Sequence, residues 1–298
     1  MISPQNHRQL LSGNNIRLII SKMLYWIIIS FVVFYLAILI YVYFSQDSLF
    51  FYPSKEHQIS PDELNIEYQD LYLKHDNGEK INAWYFEPPI TNENQIERTI
   101  IFCHGNAGNI SGRLETVQFL LQFDLNILLF DYRGYGKSDG VPSEEKMYQD
   151  AKLCYEFLIH EKKMSPTEII IFGRSLGGAV AVDLAAQVKC GGLVVESSFN
   201  SSLDIAKKSF PYLPVGLLMK YKFDSSIKIK KINCPVLVGH SPEDEIIPFQ
   251  LGVNLYEAAI SPKEFYELSC GHNDREYYSD EIYREKLNKI LNQPTDRN

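Results

Sequence analysis

The sequence predicts an α/β domain: a mainly parallel β-sheet opened by an N-terminal hairpin, helices on both faces, a short cap insert, and one transmembrane helix ahead of the whole. Three observations carry this. Short runs rich in Ile, Val and Phe recur at 99–103, 126–130, 168–172, 192–195, 235–238 and 264–268, with helix-length amphipathic segments between them. Continuous rather than alternating hydrophobicity marks strands covered on both faces, and strand-helix alternation implies parallel pairing. The segment 67–88 instead alternates apolar and polar residues around Asp76-Asn77-Gly78, a turn signal between two strands. Finally, 23–45 contains no charged residue.

That last segment comes first in the chain. At about 1.5 Å per residue it covers roughly 30 Å or slightly more, the thickness of a hydrocarbon core. A cleavable signal needs a shorter apolar region and a small-residue cleavage site, whereas the chain continues QDSLFFYPS after Ser45. A buried helix of a soluble core is rarely so uniformly apolar. Tyr25 and Trp26 stand at one end, Tyr41 and Tyr43 at the other, where interfacial aromatics are favoured. Arg8, Arg17 and Lys22 precede the span, and Lys55 is the first basic residue after it, so the positive-inside bias expects a cytoplasmic N-terminus and a non-cytoplasmic globular domain. The expected organisation is a basic tail at 1–22, a membrane anchor at 23–45, a linker at 46–62, and one α/β domain at 63–298 with a cap insert at 199–231.

Composition excludes other classes. With 45% hydrophobic residues the chain is not disordered, and a net charge of −8 from 29 Lys+Arg against 37 Asp+Glu does not suit an electrostatic nucleic-acid binder. Five cysteines, none in a C-x-x-C pair, suggest neither a disulfide scaffold nor a zinc or thioredoxin-like site; the odd count leaves at least one thiol free or paired with another chain. No metal or organic cofactor is expected.

The third parallel run leads into Gly173-Arg174-Ser175-Leu176-Gly177-Gly178, which precedes the small, apolar AVAVDLAAQV. A G-x-S-x-G alone is modest evidence, but strand, glycine-flanked turn and helix are the parts of a nucleophile elbow. Ser175 is the candidate nucleophile; the alternative is a structural Ser in a Gly-rich turn. Such a hydroxyl needs a base, and in this arrangement the partners follow in the order Ser, acid, His. Of seven histidines only His240 and His272 follow Ser175. His240 closes the run at 235–238, ahead of any acid in the next loop. His272 lies after the last run, in Ser269-Cys270-Gly271-His272-Asn273-Asp274, and is the expected base. The acid should come from the loop Gly239-His240-Ser241-Pro242-Glu243-Asp244-Glu245. Asp244 is preferred because Ile246-Ile247-Pro248 turns the chain and can hold a short Asp rigidly, while Glu243 and Glu245 are expected to face solvent. Glu196 is a further alternative. For an oxyanion, the backbone N–H of Leu176 and that of Asn106, with Ala107 next, are the candidate donors; His104 is expected to brace its loop.

Six motifs now carry a resemblance: FCHGNAGNI (102–110), DYRGYGKSDG (131–140), GRSLGG (173–178), VESSF (195–199), PEDEIIP (242–248) and CGHND (270–274). From about 99 to 274 the chain resembles the α/β-hydrolase superfamily, and within it the membrane-anchored serine hydrolases, a serine aminopeptidase/esterase-like group that includes eukaryotic depalmitoylating thioesterases. The resemblance implies an α/β-hydrolase fold, Ser175, Asp244 and His272 as a triad, and 131–136 as a loop bordering the site. One departure is plain: those thioesterases reach the membrane through lipidated N-terminal cysteines, and the first cysteine here is Cys103.

The expected function is thus a membrane-anchored serine hydrolase of carboxylic esters or thioesters, acting on a small-molecule or lipid-like acyl substrate. The alternatives are a peptidase with the same triad and a catalytically silent binding or scaffold protein. From Lys207 to Lys231 seven lysines face one acid, Asp224, a local charge of 7 − 1 = +6. That patch is either a solvated face or one that rests on anionic lipid headgroups.

Overall fold

The computed structural model describes residues 13–88, 98–260 and 262–292; Arg8 lies outside them. The chain divides into two units, Met1–Gln46 and Asp47–Asn298.

In the first unit, α1 (Gly13–Phe44) is a single 32-residue helix. Its 29-residue stretch Ile16–Phe44 is long and apolar enough to cross a membrane, and none of its most apolar window is buried. The helix starts ten residues ahead of the expected span, so Arg17 and Lys22 lie within it rather than in a tail. The reason is that hydrogen bonding, not hydrophobicity, sets a helix end: GNNIRLIISK contains no proline, and Arg and Lys are good helix formers. A one-turn helix, α2 (Gln46–Phe50), follows.

The second unit continues through β1 (Tyr52–Pro53), β2 (Gln69–Lys74), β3 (Lys80–Phe86), β4 (Thr99–Cys103), β5 (Ala107–Gly108), α3 (Leu114–Leu121), β6 (Asn126–Phe130), α4 (Glu144–His160), β7 (Ile169–Arg174), α5 (Leu176–Gln187) and β8 (Gly192–Glu196). Then come α6 (Ser202–Ser209), α7 (Val215–Leu218), α8 (Ser225–Lys228), β9 (Val236–His240), α9 (Phe249–Ala258), β10 (Lys263–Glu267) and α10 (Glu281–Leu291). Eight strands form one sheet in the order β10-β9-β8-β7-β4-β6-β3-β2. β2 and β3 are the antiparallel hairpin, with Leu73 opposite Ile81, and Gly78 takes the positive φ of 92° that its turn requires. β3 joins β6 antiparallel, and every pairing from β6 to β10 is parallel.

Strand side chains alternate between two apolar layers, which is why the runs read as continuously hydrophobic. Ile101 and Cys103 pack with α4, α5 and α9, whereas Ile100 and Phe102 pack with α3 and α10 on the opposite face. β7 repeats the pattern, Ile169 and Ile171 against Ile170 and Phe172. The edge strand β10 is only half-buried. One pairing leaves no sequence signal because it is two residues long: β1 runs parallel to β5, Tyr52 opposite Ala107.

The cap insert is built in two parts. α6 and α7 pack on each other, while α8 and the short turn Ile229–Lys231 pack against α5 and α9. Lys228 is spent on that inner packing: its Nζ lies 2.7 Å from Asp183 Oδ1 and 3.8 Å above the Tyr148 ring. The seven lysines are therefore not one face.

Candidate active site

Ser175 stands between β7 and α5 at φ 55°, ψ −124°, a positive φ that a side chain rarely adopts. Its surroundings over-determine it. A Cβ at Gly177 would collide with the Cys103 and His104 carbonyls, and one at Gly173 with the Gly177 carbonyl and Ala181. These glycines let α5 press against β4 and β7, and the Ser175 N–H donates to the Glu196 carbonyl at 2.9 Å. From 169 to 185 every residue is buried except Ser175.

The loops after β7, β9 and β10 leave the same end of the parallel sheet, and they bring three side chains into a row. His272 Nε2 lies 3.1 Å from Ser175 Oγ, and His272 Nδ1 lies 2.7 Å from Asp244 Oδ2. A carboxylate only accepts, so Nδ1 carries the proton and Nε2 is left with a lone pair toward the serine hydroxyl. Asp244 Oδ1 accepts from the N–H groups of Ile246 at 2.9 Å and Ile247 at 2.7 Å, the turn that Ile246-Ile247-Pro248 was expected to make. Burial alone would push the Asp244 carboxyl up; hydrogen bonds from His240, His272 and the Ile247 N–H outweigh it and hold the group well below the ordinary carboxylate range. His240 sits at the far side of that carboxylate, its Nε2 3.0 Å from the Ile247 carbonyl and 3.3 Å from Asp244 Oδ2.

The other acids have different employment. Glu196 is wholly buried and accepts hydrogen bonds from the Tyr277 hydroxyl, at 2.7 Å, and from that of Tyr283. Burial raises its carboxyl. Its partners tie α10 and the turn before it to the end of β8. Glu243 is exposed. Glu245 corrects the expectation that it merely faces solvent: although exposed, its Oε2 accepts from the His272 N–H at 2.9 Å, which lowers its pKa. Arg174 holds the same loop from the other side, donating from Nη2 to the His272 carbonyl at 2.5 Å and the Asp274 carbonyl at 3.2 Å. Both clamps went unread in the sequence, Arg174 because it occupies the variable position of the elbow motif and Glu245 because its partner is 27 residues away.

The loop after β4 runs beside the nucleophile: a Cβ at Gly105 would lie 3.4 Å from Ser175 Cβ and 4.0 Å from Oγ. Asn106 is braced on two sides, its Nδ2 donating to the Phe50 carbonyl at 2.5 Å and its Oδ1 accepting from the Tyr135 hydroxyl at 2.8 Å. Leu176 begins α5, where the first N–H groups have no partner within the helix. Ala107 is drawn instead into the pair with Tyr52. His104 is buried, with Nδ1 2.7 Å from the Gly105 carbonyl and Nε2 3.5 Å from Asp131 Oδ1. Asp131 also meets His57 Nε2 at 3.0 Å and the Ile110 N–H at 2.9 Å. This buried cluster fastens the loops at 104–110 and 131–136 to each other and to residue 57. All five cysteines are free, and burial keeps Cys103, Cys154 and Cys270 as thiols, Cys270 pushed up to about 11. Among the described residues, no group of three or more His, Cys, Asp or Glu side chains could hold a metal ion.

A mostly parallel sheet with a strained serine between strand and helix, a histidine after the last strand and an acid after the strand before it is the architecture of the α/β hydrolases. A family model described as serine aminopeptidase, S33, matches residues 94–211, a stretch that holds Ser175 and ends ahead of Asp244 and His272. The uncharacterized protein Rv2307c of Mycobacterium tuberculosis is 34% identical over 247 residues, 83% of this chain and 87% of the relative. The α/β-hydrolase domain-containing protein WAV2 of Arabidopsis thaliana is 31% identical over 265 residues, with 80% and 84% covered. In three dimensions the chain resembles the Pyrococcus furiosus esterase Pf2001, with a TM-score of 0.65 at 22% identity over 80% of this chain and 98% of the esterase. The chain belongs to the α/β-hydrolase family.

Proposed function

We propose that this protein is a membrane-anchored serine hydrolase that cleaves carboxylic ester or thioester bonds through an acyl-enzyme. The observation that carries the reading is the row Ser175–His272–Asp244, with its 3.1 Å and 2.7 Å separations and its single consistent tautomer. In the proposed cycle His272 Nε2 takes the Ser175 proton as Oγ attacks the substrate carbonyl, and Asp244 stabilises the imidazolium. The N–H groups of Leu176 and Asn106 face the oxyanion. His272 then gives its proton to the departing alcohol or thiol. Water, deprotonated by the same nitrogen, releases the acid and restores the serine. The apolar stretch of α1 serves as the anchor, with the N-terminus cytoplasmic and the hydrolase domain on the opposite side.

A fluorophosphonate probe tests the nucleophile. The protein should be labelled, and Ser175→Ala and His272→Ala should not; absence of labelling in the unaltered protein would favour a binding or scaffold role. The S33 family description favours one further reading, a peptidase that expels an amine from the same acyl-enzyme. Esters of graded chain length assayed beside an aminoacyl amide separate the two.

A further inference from the structure

We propose that the lobe formed by α6 and α7 is a second membrane contact, a surface that settles on anionic lipid headgroups and, on the hydrolase reading above, presents the site to acyl chains held in the bilayer.

Three observations point to it. The first is the chemistry of the lobe. Phe210, Tyr212 and Leu217 are 56%, 89% and 88% exposed. Lys207, Lys208, Lys220 and Lys222 stand exposed on the same short stretch. Between 202 and 222 the sequence sets these four lysines against one acid, Asp204, a charge of 4 − 1 = +3 in a protein of −8; Lys207 Nζ lies 3.4 Å from Asp204 Oδ1 and Lys220 Nζ 3.7 Å from Asp47 Oδ1. A solvated lysine face has no need of three exposed large apolar groups. A bilayer surface uses both, the apolar tips in the headgroup layer and the lysine stems reaching the phosphates.

The second is where the lobe is tied. Tyr221 packs its ring 5.4 Å from Phe50 and 4.8 Å from Phe51, and its hydroxyl donates to Asp47 Oδ1 at 2.6 Å. Phe50 also stacks on Phe223 at 5.5 Å. Asp47 follows Phe44, the last residue of α1, by three positions.

The third is the root. Ser198 Oγ donates to the Ser175 carbonyl at 2.7 Å, and a Cβ at Gly178 would meet Ser198 Oγ at 2.5 Å. The insert therefore leaves the sheet beside the nucleophile and becomes the lobe four residues later, at Ser202. One continuous segment links Ser175 to the surface that carries the lysines.

The experiment follows backbone hydrogen exchange across 203–218 in the full chain, reconstituted into phosphatidylcholine vesicles with or without phosphatidylglycerol. Exchange should slow by about tenfold with the anionic lipid, and high salt should reverse the effect. Tyr212→Ser with Leu217→Ser, and separately all four lysines replaced by Gln, should each abolish the slowing. Equal exchange in the two vesicle types, or slowing that survives in both variants, overturns the proposal; the latter result would point to a partner other than lipid. Fluorophosphonate labelling of the same samples separates this outcome from the hydrolase reading. Lipid-dependent protection without labelling leaves the contact standing and removes the hydrolase, and labelling without protection does the reverse. In turnover, both variants should lose about tenfold on a long-chain ester dispersed in anionic vesicles and keep their rate on a short soluble ester. Equal loss on both substrates would also overturn the proposal.

Discussion

Asp244 stands between two glutamates, and three adjacent carboxylates have three fates: Glu243 is exposed, Asp244 meets His272 Nδ1, and Glu245 takes the His272 backbone N–H. Asp244→Asn keeps the shape but can present an amide N–H to Nδ1, favouring the wrong tautomer; kcat should fall by about 10⁴-fold with the fold retained. Its pH signature has a definite sign. The folded carboxyl lies below its unfolded value of about 3.9, so its stabilisation is complete above that pH and is lost as pH falls through the folded value. Thermal melts from pH 7 to pH 3 should therefore drop less steeply in Asp244→Asn than in the unaltered protein. Glu245→Gln removes charge from the clamp on the His272 loop, and about a tenfold fall in kcat is expected with little change in KM for a short ester. Tyr283→Phe tests the buried carboxyl: Glu196 would lose one of its two tyrosine donors, at a cost of about 1–3 kcal/mol in urea unfolding. The local turn at Ile246-Ile247-Pro248 made Asp244 the preferred acid in the sequence. The roles of Glu196 and Glu245 were not legible there, because a carboxylate's role is set by which donors surround it and theirs come from Tyr277, Tyr283 and His272, far along the chain.

At the scale of elements, β7 and α5 were legible because their signals are local. The Ile run, the glycines and the small residues of AVAVDLAA each act within one turn of the chain. Gly177→Ala should cost about 3 kcal/mol or more, or prevent folding, because the added methyl meets the backbone carbonyls of β4 and of residue 104 rather than a movable side chain. Soluble yield and labelling of Ser175 report it. The cap was legible only as composition. Its division into an outer lobe and an inner part packed on α5 and α9 follows from where Ile229 and Phe223 are buried. Lysines in the two parts should behave differently: Lys228→Gln should destabilise by about 1–2 kcal/mol through its half-buried pair with Asp183, and Lys222→Gln by less than about 0.5 kcal/mol. Thermal unfolding of both variants measures the contrast.

For the whole molecule, the net charge of −8 averages an apolar helix, an acidic α/β unit and a basic cap insert, and the sequence alone separates those parts. Protease added to sealed, cytoplasm-enclosing membranes should digest the α/β unit; full protection would reverse the proposed orientation. Strand identity, the hairpin, the membrane-length helix and the elbow were determined by the sequence itself, since periodicity, glycine spacing and apolar length are properties of neighbouring residues. The register that sets Ser175, Asp244 and His272 in a row belongs to tertiary structure. So do the clamps from Arg174 and Glu245, the tyrosine cradle of Glu196 and the tie between Tyr221 and Asp47. These contacts join residues 27 to 174 positions apart. The catalytic row and its clamps require β7, β8, β9 and β10 to lie side by side in the sheet, and the packing of whole elements, not any local preference, makes that arrangement.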